Sequence, residues 1–253
     1  MQKNDILITD ILLSLVLLTR LPLPHLNKTD FARQSKAVWA FPVAGFAVAL
    51  AACVAVSVTV WAGLSPAISA GIAIGVRILL TGAMHEDGLA DTADGFWGGF
   101  ERARRLEIMK DSQIGTYGVL ALILGIGLRW TALSTLIAGP GIWVLVPLAM
   151  LSRSMMPVVM IALPNARGHG LSQSVGRPQK APAVIGVLSA LFVGLFVAGW
   201  ATWLVLLVMA VATGGIVALA KRKIGGQTGD VLGAAQQLSE TAVLLGAVAL
   251  LGT

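Results

Sequence analysis

Four acidic side chains and a histidine crowd the stretch His85-Glu86-Asp87-Gly-Leu-Ala-Asp91-Thr-Ala-Asp94-Gly, which holds a third of the chain's 12 Asp and Glu residues. Drawn as a helix, Asp87, Asp91 and Asp94 stand at i, i+4 and i+7 and fall within about 60° of arc. Three carboxylates then share one stripe. Glu86 lies about 100° to the side, in reach of its edge, and His85 points to roughly the opposite face. Like charges at this spacing repel, by ~0.2–0.5 kcal/mol per pair on a helix in water and by more beside lipid. The stripe therefore calls for a cation, and an all-oxygen donor set favours Mg²⁺ or Mn²⁺ over zinc, which prefers His and Cys. Glu86, Asp87, Asp91 and Asp94 are the candidate metal ligands. Gly88 and Gly95 suit places where a bulky ligand nears the backbone, since glycine otherwise costs a helix ~1 kcal/mol. The plainer reading is a solvated acidic loop offsetting Arg102, Arg104 and Arg105; the one-face spacing speaks against it.

The elements that must position this stripe are apolar. Of 253 residues, 57% are hydrophobic and 12% charged, with a mean hydropathy of +0.85, a composition of polytopic membrane proteins rather than soluble domains. Spans are expected near 37–61, 64–84, 115–138, 141–163, 182–198 and 200–220, each close to the ~20 residues that cross a ~30 Å core. The segments 6–18 and 241–253 are shorter and read as full, tilted or re-entrant spans. Backbone groups in lipid must be satisfied internally, which predicts an all-α fold of about six to eight membrane helices. No internal repeat or linker stands out, so 1–253 is expected to be one domain.

Charge alternates between the connections. The turns near 62–63, 139–141 and 199 carry none. The others carry Arg20, Lys28, Arg33 and Lys36; Arg102, Arg104, Arg105 and Lys110; Arg167, Arg177 and Lys180; and Lys221, Arg222 and Lys223. By the positive-inside rule these are cytoplasmic, and every polar motif falls on that face. Topology thus accounts for the net charge of +6, and no aromatic-interleaved basic region points to nucleic acid. The run 6–18 contains Asp10 and is followed by Arg20-Leu-Pro-Leu-Pro rather than a cleavage site, so it reads as mature sequence. Cys53, the single cysteine, lies in an apolar run and reads as a packing residue. Trp39, Trp61, Trp143, Trp200 and Trp203 fall near span ends and read as interfacial anchors rather than a stacking cage.

Two further motifs can handle phosphate. Lys110, Asp111 and Ser112 immediately precede a span, where first-turn N–H groups and the helix dipole favour an anion; the alternative is a basic flank that serves topology alone. Gly225, Gly226, Thr228 and Asp230 in "GGQTGD" offer a backbone-amide surface or a fourth carboxylate, without the Gly-Lys-Ser/Thr ending of a P-loop. Arg77, Arg129 and Arg153 lie within apolar spans, where an uncompensated charge costs ~2.5–3.5 kcal/mol, so each needs a partner. Arg77 is close enough to pair with an aspartate or to snorkel; Arg129 has no evident place.

"HEDGLADTADG" resembles the signature of the cobalamin synthase family, the adenosylcobinamide-GDP ribazoletransferases. "LLTRLPLP" at 17–24, "FPVAG" at 41–45, "IMKDSQIGTYG" at 108–118, "LSRSMMPV" at 151–158 and "GGQTGDVLGA" at 225–234 extend the likeness almost end to end. The resemblance implies a multi-pass protein of the bacterial inner membrane whose substrates are a corrinoid nucleotide and α-ribazole or its 5′-phosphate. A ribose hydroxyl would displace GMP from adenosylcobinamide-GDP, giving adenosylcobalamin or its phosphate. Metal held by carboxylates suits a displacement at a diphosphate, as in the Asp-rich motif of CDP-alcohol phosphotransferases, an analogy. The general base is one of Asp87, Asp91, Asp94 or Asp230, with His85 as an alternative that helical geometry disfavours. Arg153, inside the family-like "LSR" element, is a candidate diphosphate or carboxylate contact. A lipid phosphotransferase and a cation-coupled transporter are the competing readings; carboxylates on one face rather than at the midplane disfavour the transporter. Self-association, or association with other late cobalamin enzymes, stays open.

Overall fold

The computed structural model describes residues 3–139 and 141–251. The middle of the expected turn 139–141 and the last two positions of the expected segment 241–253 lie outside the described residues. The helices are α1 (Lys3–Leu18), α2 (Gln34–Ala37), α3 (Phe41–Trp61), α4 (Pro66–Thr81), α5 (Met84–Gly98), α6 (Arg102–Ile108), α7 (Thr116–Ala138), α8 (Leu145–Ala162), α9 (Leu171–Val175), α10 (Lys180–Ala198), α11 (Ala201–Ile224) and α12 (Gly229–Leu251). Among the described residues there is no named strand, only an isolated bridge between Asn165 and Gln227. Six helices among the described residues are long and apolar enough to cross a membrane, seven if α4 and α5 count as one span. The all-α membrane architecture expected from hydropathy is what the chain adopts.

Two boundaries differ from the hydropathy reading. The expected span 64–84 starts as its sequence directs, with Ser65 Oγ accepting from Ile68 N and Pro66 in the first turn. It does not run on into the acidic stretch. Gly82 and Ala83 both take left-handed backbone angles (φ 63° and 58°), and α5 leaves α4 at 88°. Glycine suits the first position twice over, since a Cβ there would also stand 2.7 Å from Arg20 Nε. At the other end, the expected segment 241–253 is the second half of a longer helix. Gln236, Gln237, Ser239 and Glu240 depress the hydropathy of α12, and all four are buried.

The centre of the bundle is α8, buried along nearly its whole length, with α3 and α12 against it. Small residues permit these close approaches: Ala44, Ala49 and Ala52 of α3 are sealed, and Gly45 meets the backbone of Ala149. α10 and α11 instead expose Phe192, Phe196, Leu207 and Val211, the side chains of a lipid-facing perimeter. Trp61, Trp143, Trp200 and Trp203 are likewise exposed near helix ends, as expected of anchors. Trp39 is not: its Nε1 donates to Asp10 at 3.1 Å, beside the Arg33–Asp10 ion pair at 3.0 Å.

The charged connections meet at one end of the bundle. Arg105 Nη1 donates to Lys223 O (2.9 Å), Lys223 Nζ to Phe96 O (2.8 Å) and Arg102 Nη2 to Ala166 O (3.3 Å). That end carries the candidate site.

Candidate functional site at the α5–α12 crossing

α5 and α12 cross where both carry glycine. A Cβ on Gly88 would lie 2.7 Å from Asp230 O, and one on Gly233 would lie 3.2 Å from His85 Cα and O. Backbone therefore packs on backbone, and the residues flanking the contact open into one cavity of about 160 Å³. Its polar wall is His85 and Asp87 from α5, Asp230 from α12, and Arg167 and His169 from the α8–α9 loop; Phe41, Met156 and Met160 contribute to an apolar wall. Asp91, one turn along α5 and half-buried, lies within electrostatic reach of Asp87, Asp230, Asp94 and Arg167.

The stripe read from the sequence is on one helix, but its members have different partners. Asp87 and Asp91 have no hydrogen-bond or ion-pair partner for their carboxylates among the described residues. Asp94 is turned to the start of α7: its carboxylate accepts from Gly115 N at 2.7 Å and Gly118 N at 2.9 Å. Side chains at either glycine would collide with it. The helix N-terminus that follows Lys110, Asp111 and Ser112 was expected to receive an outside anion; it receives Asp94. Those three residues are exposed and away from the cavity, with Asp111 Oδ1 accepting from Gln113 N at 3.1 Å.

Glu86 faces into the protein. Its Oε1 accepts from Arg129 Nη1 at 3.3 Å and Gln237 Nε2 at 3.1 Å. Behind it Glu240 pairs with Arg77 through Oε1; its Oε2 takes Gln236 Nε2 (2.8 Å), Ser152 Oγ (3.2 Å) and Arg153 Nη1 (3.7 Å). Gln237 Nε2 also donates to Gln236 Oε1 at 2.9 Å, joining the two halves. The three intramembrane arginines thus have the partners that their burial demands. Arg153 reaches a carboxylate of the chain and does not line the cavity. His85 Nε2, buried between α5 and α12, has no partner among the described residues.

The "GGQTGD" segment is a junction. Gly225 (φ 70°) closes α11, and a Cβ on Gly226 would stand 3.2 Å from Ala166 N. Gln227 joins the 164–166 backbone through Ala166 N to Gln227 O and Gln227 N to Pro164 O, both 2.8 Å. Thr228 Oγ1 accepts from Val231 N at 3.3 Å, capping α12, and donates to Asp230 Oδ2 at 3.2 Å. Asp230 also pairs with Arg167 Nη2 at 2.8 Å.

Of the residues singled out in sequence, the structure gathers His85, Asp87, Asp91 and Asp230; Thr228 supports Asp230 from the first turn of α12. Glu86, Asp94 and Arg153 are held elsewhere, and Lys110, Asp111 and Ser112 lie exposed outside the cavity lining. Sequence reading missed Arg167 and His169, visible only as charge in a connection, and Gln236, Gln237 and Glu240, whose signal was polar residues one turn apart in an apolar run. Among the described residues no three His, Cys, Asp or Glu side chains close around a metal position. The oxygens of Asp87, Asp91 and Asp230 are nevertheless the donors that Mg²⁺ takes when one or two carboxylates share it with phosphate.

Comparison with known proteins agrees over nearly the whole chain. The family model described as cobalamin-5-phosphate synthase matches residues 10–248. The chain is 44% identical over 248 residues to an adenosylcobinamide-GDP ribazoletransferase of Bradyrhizobium diazoefficiens, covering 96% of this chain and 94% of that one. It is 42% identical to the protein of the same name in Mesorhizobium japonicum (94% and 92% covered) and 43% to that of Brucella canis (98% and 99%). No solved structure matches. With the motifs in order along a membrane bundle and relatives aligned end to end, the chain belongs to the cobalamin-5-phosphate synthase family.

Proposed function

We propose that this protein is an adenosylcobinamide-GDP ribazoletransferase, joining adenosylcobinamide-GDP to α-ribazole or its 5′-phosphate with release of GMP. The observation that carries the reading is the pair of unpartnered carboxylates, Asp87 and Asp91, beside Asp230 at the charged end of a membrane bundle. Most other acidic side chains here have been given a partner; these two are left for something brought to the site.

In the reaction a ribose hydroxyl attacks the phosphorus that carries the cobinamide. A P–O bond forms to the acceptor, the bond from that phosphorus to the bridging oxygen breaks, and GMP leaves with the bond's electron pair. Asp87 or Asp91, whose oxygens are free, takes the hydroxyl proton. Asp94 keeps α5 in register with α7, and Thr228 holds the first turn of α12, so the carboxylates approach from two fixed helices. One or two of the carboxylates of Asp87, Asp91 and Asp230 would hold a divalent cation, Mg²⁺ or Mn²⁺, with diphosphate oxygens completing its shell. When bound, that ion supplies charge neutralisation on the diphosphate. We place the site at the cytoplasmic face of the inner membrane, because the arginine- and lysine-rich connections gather there.

The test is to mix the purified protein with adenosylcobinamide-GDP, α-ribazole and Mg²⁺ and to follow nucleotide and corrinoid by mass. GMP and a completed corrinoid are expected. Release of CMP from a CDP-alcohol instead, with no GMP, would make the enzyme a lipid phosphotransferase.

A further inference from the structure

The cavity has a charge problem. Asp87, Asp91 and Asp230 would repel a diphosphate, and among the described residues the one Lys or Arg lining the cavity is Arg167. Arg20 packs beside Gly82 without lining the cavity, and six further cations are engaged. Arg77, Arg129 and Arg153 are sealed against Glu240 and Glu86, and Arg102, Arg105 and Lys223 hold backbone carbonyls. We propose that Arg167 is the residue that receives the diphosphate of the nucleotide substrate, exchanging its ion-pair partner from Asp230 to a phosphate oxygen. The inference rests on the function proposed above and names how that site holds its donor.

Arg167 stands in the α8–α9 loop between a pinned segment and two glycines. Below it, the Asn165–Gln227 bridge pins the chain, and Asn165 Oδ1 accepts from Arg167 N (3.0 Å) and Gly168 N (2.8 Å) while its Nδ2 donates to Ser172 Oγ (2.8 Å). Beyond it come Gly168 and Gly170, both at positive φ with open space around them. The backbone that presents Arg167 is fixed, and its side chain hangs over the cavity. Its Nη2 lies 2.8 Å from Asp230 Oδ2 as an ion pair, without hydrogen-bond geometry, and both Nη2 and Nε are buried with no hydrogen-bond acceptor among the described residues. A guanidinium fork is suited to two oxygens at once, and phosphate offers them. Moving Arg167 onto phosphate would also leave Asp230 as a third free carboxylate beside Asp87 and Asp91. The loop's pairing with Asp230 then serves as the resting position of a binding residue.

The rival account is structural: Arg167 only neutralises Asp230. GDP binding to the purified full-length protein in detergent, with guanosine as the control, separates the two. Arg167→Gln should weaken GDP about 10- to 100-fold and leave guanosine unchanged, with Arg167→Lys between. With EDTA in place of any divalent cation, Asp230→Asn, which removes the carboxylate that competes for Arg167, should bind GDP at least as well as the parent, and Arg167→Gln with Asp230→Asn should stay weak. Parental GDP affinity in Arg167→Gln, or its full recovery in the double variant, would overturn the proposal. If Arg167→Gln fails to fold, the Lys variant alone decides: parental GDP affinity overturns the proposal, and a loss confined to GDP supports it. Failure of the parent to release GMP in the assay above would instead count against the function itself.

Discussion

Gly88 and Gly233 face each other across the α5–α12 crossing, and a Cβ built on either would lie 3.1 Å and 3.3 Å from the other's Cα. That contact sets the separation between Asp87 and Asp230, one residue before the first glycine and three before the second. Both helices need their side chains elsewhere, Asp87 of α5 and Asp230 of α12 toward the cavity and Glu86 of α5 toward Arg129. Glycine at the crossing lets them approach without spending either set.

Gly88→Ala should therefore cost activity, although alanine favours a helix by ~1 kcal/mol. The new methyl meets the Asp230 carbonyl at 2.7 Å, backbone that cannot rotate away. A displacement near 1 Å at the reacting groups lowers turnover about 100-fold. Gly233→Ala, whose methyl would stand 3.2 Å from His85 Cα and O, a milder clash, should lose less. GMP-release rates on equal amounts of folded protein would check the order.

Asp94 and Asp91 should respond differently to the same change. Asp94→Asn keeps one acceptor for the α7 amides and should retain measurable activity, while Asp94→Ala should lose about 0.5–2 kcal/mol of stability with the cap. Asp91→Asn should keep the melting temperature and lose turnover. Melting curves beside GMP release would show it; full activity in Asp91→Asn with none in Asp94→Asn would reverse the two roles.

Within the bundle, Glu240→Ala removes the shared partner of Arg77 and Arg153. Leaving buried cations unpaired costs about 3–5 kcal/mol, so this variant should accumulate poorly and unfold early. Removing charge on both sides, in Arg77→Met with Glu240→Gln, should recover part of the loss. Unfolding in mixed micelles would measure the difference.

Reporter fusions test the orientation. One placed after Gly63 should read periplasmic and one after Lys110 cytoplasmic; the opposite pattern would place the cavity on the periplasmic face.

How much of this was legible varies with the physics involved. Long apolar runs announced their helices because nothing else satisfies a backbone in lipid, and the i, i+4, i+7 spacing put three aspartates on one stripe. Partner choice was not legible. Nothing local to Asp94 says that Gly115 and Gly118 will meet it, and Glu86 differs from its neighbours only through Arg129 and Gln237, far away in sequence. The break at Gly82-Ala83 stayed hidden because alanine takes a left-handed conformation only under tertiary constraint. α12 lost its first half to the averaging of hydropathy, where four buried polar residues looked like a loop. Arg167 had no spacing to mark it; only the fold brings it to Asp230.

The central claim is that the unpartnered carboxylates of α5 carry the displacement. Its most direct measurement is GMP release from adenosylcobinamide-GDP by the Asp87→Asn, Asp91→Asn double variant, purified from membranes and matched to the parent for melting temperature. The account predicts a properly inserted, folded protein with no turnover above background. Parental rates in that variant would contradict it.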